Sequence, residues 1–98
     1  MSAYAVANIE ITDPVRYPEY VRSAGPTLAR YGGRYLVRGG TTTVKEGAPE
    51  IHRLVIIEFP SMAQALAWYD SPEYAPARVL RHAAARSEFT FVEGVAPA

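Results

Sequence analysis

From Ala3 to Ile11, polarity changes at every second position. Ala5, Ala7, Ile9 and Ile11 point one way, and Tyr4, Val6, Asn8 and Glu10 the other, which is the period of a strand. The period lengthens after Thr12-Asp13-Pro14, where a capping side chain is followed by proline. Tyr17, Tyr20, Val21, Ala24, Leu28 and Tyr31 then recur at helical spacing, and Gly32-Gly33 supply a left-handed stop. Pro18 is expected to mark the helical start and Pro26 to kink the helix, because each removes a backbone donor and crowds the preceding turn. Arg34-Tyr35-Leu36-Val37-Arg38 predicts a second strand that enters a Gly39-Gly40 break, with Thr41 to Val44 placed to resume it.

Residues 45–50 form a polar loop, and His52 to Phe59 predicts a third strand whose Leu54-Val55-Ile56-Ile57 centre is apolar on both faces. A strand buried on both faces is central in its sheet. Ser61 followed by Gln64 fits a capping box opening a short helix through Leu66, Trp68 and Tyr69. Ser71-Pro72-Glu73 is expected to restart the helix with proline at its first position. Ser87 to Glu93 predicts the last strand, with Phe89 and Phe91 on one face and Thr90 and Val92 on the other. The order β-α-β-β-α-β over residues 1–98 defines one α+β domain of ferredoxin-like type, with two helices on one face of a four-stranded antiparallel sheet. The other face, carrying Val6, Leu36, Leu54 and Ile56, needs cover, and a second copy of the chain is the simplest, giving a homodimer.

Ten basic residues balance ten acidic ones in 98 residues, so the charge footprint that nucleic acid or an anionic membrane demands is missing. The chain has no cysteine, which excludes disulfides, thiolate metal sites and cysteine nucleophiles. Neither a signal-like N-terminus nor an apolar run of about 18 residues is present, so a cytoplasmic location is expected.

Three segments together resemble the DUF1330 family: Tyr31-Gly32-Gly33-Arg34-Tyr35-Leu36-Val37-Arg38-Gly39-Gly40, Ile57-Glu58-Phe59-Pro60-Ser61, and Trp68-Tyr69-Asp70-Ser71-Pro72-Glu73-Tyr74. The resemblance implies small bacterial proteins of the dimeric α/β-barrel superfamily, with two sheets packed face to face. It implies no particular reaction.

Polar residues on apolar strands are the main candidates for chemistry. Counting alternation from Leu36 and Ile56 puts Arg38, His52 and Glu58 on one face with Asn8 and Glu10. Arg38 and Glu58 are then either an interfacial ion pair or, with His52, the lining of a pocket for a small polar or anionic molecule. Arg78, His82 and Arg86 recur every fourth residue on the last helix beside Arg81, a basic stripe that the helix dipole alone accounts for. Arg78, one turn after Tyr74, is the residue of that stripe placed to bind a ligand. Tyr69 and Tyr74 belong to an aromatic set, with Tyr17, Tyr20, Tyr31 and Trp68, that suits either a core or a pocket with wet and dry sides. His52 and His82 lie thirty positions apart without thiolates, so no metal and no cofactor is expected.

Three functions follow as alternatives. The first is a dimeric small-molecule-binding protein or cofactor-independent enzyme with a polar pocket between sheet and helices. The second is a monooxygenase resembling haem-degrading or antibiotic-biosynthesis members of the superfamily. Asn8 and Trp68 match the haem-degrading pattern, but Arg78 stands where that pattern has its histidine. The third is a structural or interaction module without ligand.

Overall fold

The computed structural model describes residues 1–96. The strands are β1 (Ala3–Ile11), β2 (Arg34–Arg38), β3 (Arg53–Phe59) and β4 (Ala85–Glu93). The helices are α1 (Tyr17–Leu28), α2 (Met62–Tyr69) and α3 (Ala75–Ala84). The strands form one antiparallel sheet in the order β2-β3-β1-β4, the order of the ferredoxin-like α+β fold.

The alternation along β1 decides how the sheet is covered. Ala3, Ala5, Ala7 and Ile9 are buried beneath the helices with Val55, Ile57 and Phe59 of β3. Small alanines at the centre of the sheet let the helical layer approach, and bulk comes from above in Trp68 and Tyr74, both fully buried. Tyr4, Val6, Asn8, Glu10, Leu54, Ile56 and Glu58 lie on the opposite face at intermediate exposure.

Local chemistry places the helix ends. Pro18 sits in the first turn of α1, where its missing N–H is no loss. Asp13 caps the turn ahead of that helix, its Oδ1 accepting from the backbone of Val15 and Arg16 at 3.1 and 3.2 Å. Pro26 lies inside α1, and the chain leaves through a 3₁₀ turn, Ala29–Tyr31, closed by Gly32 at φ 74°. Ser61 caps α2 by accepting from the Gln64 backbone at 3.1 Å.

Four expectations are corrected. Thr41 to Val44 do not resume a strand, and residues 40–52 carry no regular structure. Ser71-Pro72-Glu73 is a turn that leads into the helix: Ser71 Oγ accepts from the Tyr74 N–H at 3.1 Å as a capping side chain does, but regular helix follows only after Tyr74. Helix α3 therefore opens at Ala75, with Pro76 as its early proline. At the other end α3 stops at Ala84 and β4 starts at Ala85, so Arg86 belongs to a strand and the supposed stripe loses its third member. Arg81, expected on that basic face, is 2% exposed.

Candidate functional site

The largest correction comes from β2. The register runs Arg34 opposite Glu58, Tyr35 opposite Ile57, then Val37 opposite Ile56 and Arg38 opposite Val55. Leu36 is thus an extra residue in a β-bulge, and every side chain after it changes face. Arg38 falls on the helix side, away from Glu58, and the expected Arg38–Glu58 pair does not form. Glu58 is held by Arg34, at 2.8 Å, and by the Tyr4 hydroxyl at 3.3 Å.

The helix-facing side of Arg38 leads into a small cavity walled by Tyr17, Tyr20, Tyr35, Trp68 and Phe89, with Arg38 and Arg53 also lining it. Its free volume is about 20 Å³, room for one water-sized group. The aromatic walls come from α1, β2, α2 and β4, so the cavity exists only in the assembled fold. Arg38 is exposed and stacks on Tyr35, Cζ standing 5.0 Å from the ring centroid. Arg53 is partly buried, and its Nε is buried without a hydrogen-bond partner. Burial pushes the Tyr17 phenol up, against an opposing pull from Arg53, and pushes Tyr35 up against Arg38. Tyr20, raised by burial and then by Tyr74, shares a 2.9 Å hydroxyl contact with that residue. These phenols stay protonated, as donors rather than bases.

Arg81 stands behind this wall. Its guanidinium lies 4.5 Å from the Phe89 centroid and reaches the hydroxyls of Tyr74 and Tyr69 at 3.4 Å. Among the described residues no carboxylate lies within 4.0 Å of Arg38, Arg53 or Arg81, whereas Arg30, Arg34 and Arg86 each have one. Tyr69, Tyr74 and Arg78 do not line the cavity. Arg78 donates to the Tyr69 backbone oxygen and stacks on the Tyr69 ring, tying α3 to α2.

The remaining candidates gather on the open face. Asn8, Glu10 and His52, with Glu50, Arg86, Ser87 and Glu88, line an open concavity of about 310 Å³. Asn8 uses both ends of its amide on the loop before β3, donating to the Glu50 carbonyl at 2.8 Å and accepting from the His52 N–H at 2.9 Å. His52 Nε2 lies 3.2 Å from Glu50 and 3.8 Å from Glu10. One atom from each of Glu10, Glu50 and His52 falls within 4.8 Å of the others, but the Glu50 side chain is 85% exposed. Asn8 and Trp68 lie on opposite sides of the sheet, Asn8 on the open face and Trp68 in the helix-side core, so the structure does not bring these two residues together.

Tyr17, Tyr20 and Trp68 of the lining belong to the aromatic set the sequence marks for a core or a pocket, whereas Arg53 and Tyr35 carry no such mark. Arg53 is within reach of the sequence, since counting back from Ile57 and Val55 puts it on the core side.

Residues 2–95 match DUF1330, a domain of unknown function, and the chain belongs to that family. Comparison with curated proteins finds no match. Among solved structures the chain is similar to RPA0582, a protein of unknown function from Rhodopseudomonas palustris. That likeness has TM-score 0.75 and 21% identity, and covers 98% of this chain and 84% of that one. It is also similar to SnoaB, a cofactor-independent oxygenase from Streptomyces nogalater, with TM-score 0.68, 13% identity, and 98% and 95% of the two chains covered. At these identities the likeness establishes a shared fold. No helix among the described residues is long and apolar enough to cross a membrane.

Proposed function

We propose that the protein binds a small molecule in the cavity between sheet and helices, and that it pairs with a second copy through the open sheet face. One observation carries the binding half: the cavity combines aromatic walls with a buried arginine Nε that has no partner. A buried donor left unpaired costs about 1–3 kcal/mol, and a ligand that accepts from Arg53 removes that cost. Val6, Val37, Leu54 and Ile56 support the pairing half, forming an apolar centre on the face the helices leave bare. A ligand screen read by melting temperature tests the binding half, since a molecule that binds only the native state raises Tm. Flat melting temperatures across neutral, cationic and anionic probes would count against it.

Oxygenation without a cofactor, the activity of the structurally similar SnoaB, is a second reading. What favours it is the positive charge beside an apolar chamber, a setting that stabilises the electron-rich substrate anion such chemistry starts from. Oxygen uptake that depends on an added ionisable substrate supports it, and uptake equal to the protein-free rate counts against it.

A further inference from the structure

We infer that the occupant of the inner cavity is an organic carboxylate with a planar apolar body, its carboxylate held by Arg38 and Arg53. The inference rests on the pocket reading above and adds the charge and shape of the ligand.

Three observations carry it. The first is the placement of the two arginines. Arg38 is registered opposite Val55, and Arg53 stands two residues before Val55 on the same face of β3, so two cations share one corner of the helix-covered side. The second is the missing counter-charge. No carboxylate of the described residues meets either arginine, although ion pairs form elsewhere, even at the exposed Arg34. Like charges set side by side in a partly covered site oppose folding unless an anion joins them. Arg81, buried behind Tyr20 and also without a carboxylate, adds to the same positive potential. The third observation is the shape of the walls. Tyr17, Tyr20, Tyr35, Trp68 and Phe89 present aromatic surface, which favours a flat apolar body.

Arginine donors lie in a planar fork that matches a carboxylate two atoms at a time. The buried Arg53 Nε is the donor such a ligand satisfies. The body does not fit the present free volume, so binding moves wall side chains. Arg38 is the exposed member of the wall and the one with room to swing.

Trp68 is the single tryptophan of the chain and lines the cavity, so its indole N–H signal reports occupancy in the full-length ¹⁵N-labelled protein. Benzoate, benzamide and inorganic phosphate are titrated in parallel. The expected result is a saturating shift of the indole signal with benzoate, binding of benzamide weaker by roughly tenfold or more, and no shift with phosphate. R38Q and R53Q each weaken benzoate by a similar factor, while R34Q, on the other face, leaves it unchanged. Circular dichroism checks that each variant folds; if R53Q does not, R38Q decides alone. Benzamide binding as tightly as benzoate would overturn the carboxylate inference and leave the pocket reading standing. Phosphate shifting the indole as benzoate does would reduce the site to an inorganic-anion site and overturn the planar body. No shift with any probe would overturn the carboxylate inference and leave the pocket reading to the melting-temperature screen.

Discussion

Arg34 and Glu58 face each other across the β2–β3 ladder, with Arg34 Nε and Nη2 each 2.8 Å from Glu58 Oε1. The Arg34 side chain is 71% exposed, so water screens most of this attraction. A double-mutant cycle between Arg34→Ala and Glu58→Ala is expected to give a coupling of about 0.2–1 kcal/mol. The same cycle between Arg38→Ala and Glu58→Ala should give none, because the bulge at Leu36 separates those side chains by the sheet itself. Equal coupling in the two cycles would contradict this register.

Thr27 and Trp68 make a second testable pair, this time inside the core. Thr27 Oγ1 accepts from the Trp68 indole at 2.9 Å and donates to the Ala24 carbonyl at 2.6 Å. Thr27→Val keeps the volume but strands a buried indole N–H, and should cost about 1–3 kcal/mol in urea denaturation. Adding Trp68→Phe removes the stranded donor, so the two losses should combine to less than their sum. Strict additivity would show that this bond contributes nothing.

Gly39 links backbone conformation to the proposed site. Its φ is +71°, and a Cβ there would overlap the Arg53 guanidinium. Gly39→Ala is expected to cost about 1–2 kcal/mol from the left-handed backbone alone. It should also weaken benzoate binding, since Arg53 must move to make room. Unchanged binding in a folded Gly39→Ala protein would mean that the Arg53 head group is not held where the ligand needs it.

Acid sensitivity has an identifiable contributor in His82. Burial, then Arg81 and Arg78, lower its pKa from the ordinary 6.5. The unfolded chain therefore takes up this proton more readily than the folded one, so stability rises with pH through the window between the lowered value and 6.5. The contribution is complete above that window and is lost as pH falls through it. His82→Gln should flatten the dependence of the urea midpoint on pH there. A slope identical to that of the parent protein would assign the acid sensitivity to other groups.

Much of this architecture is legible in the amino-acid order, for physical reasons that differ by element. Ala3 to Ile11 alternates without interruption, and a strand covered on one face has no other way to segregate its side chains. Leu54 to Ile57 is apolar throughout because Val55 and Ile57 enter the helix-covered core while Leu54 and Ile56 form the apolar centre of the open face. The site is harder to read. A bulge has no distinct residue at Leu36, and one uncounted position moves Arg38 through the sheet. The junction Ala83-Ala84-Ala85-Arg86 contains no breaker, so helical spacing carries on past the point where tertiary pairing with Ile11 and Glu10 takes the chain into β4. Asn8 and Trp68 match the haem-degrading pattern by position alone, whereas the pleat assigns Asn8 to the face opposite Ala7 and Ile9.

The open face makes a prediction of its own. Ile56 pairs with Val6 and Val37 at its apolar centre. Sedimentation should report twice the chain mass for the parent protein and the single chain mass for Ile56→Glu, because a charge at the middle of an apolar contact is left without solvent or partner. A monomeric parent protein would overturn the pairing.

The most direct test of the proposed binding site is a crystal structure of the full chain grown with benzoate. Density is expected beneath the helices, between Tyr17, Tyr20 and Tyr35, with the carboxylate on Arg53 and Arg38 displaced from the Tyr35 ring. Density instead in the concavity of Asn8, Glu10 and His52, with the helix-covered cavity unchanged, would contradict it.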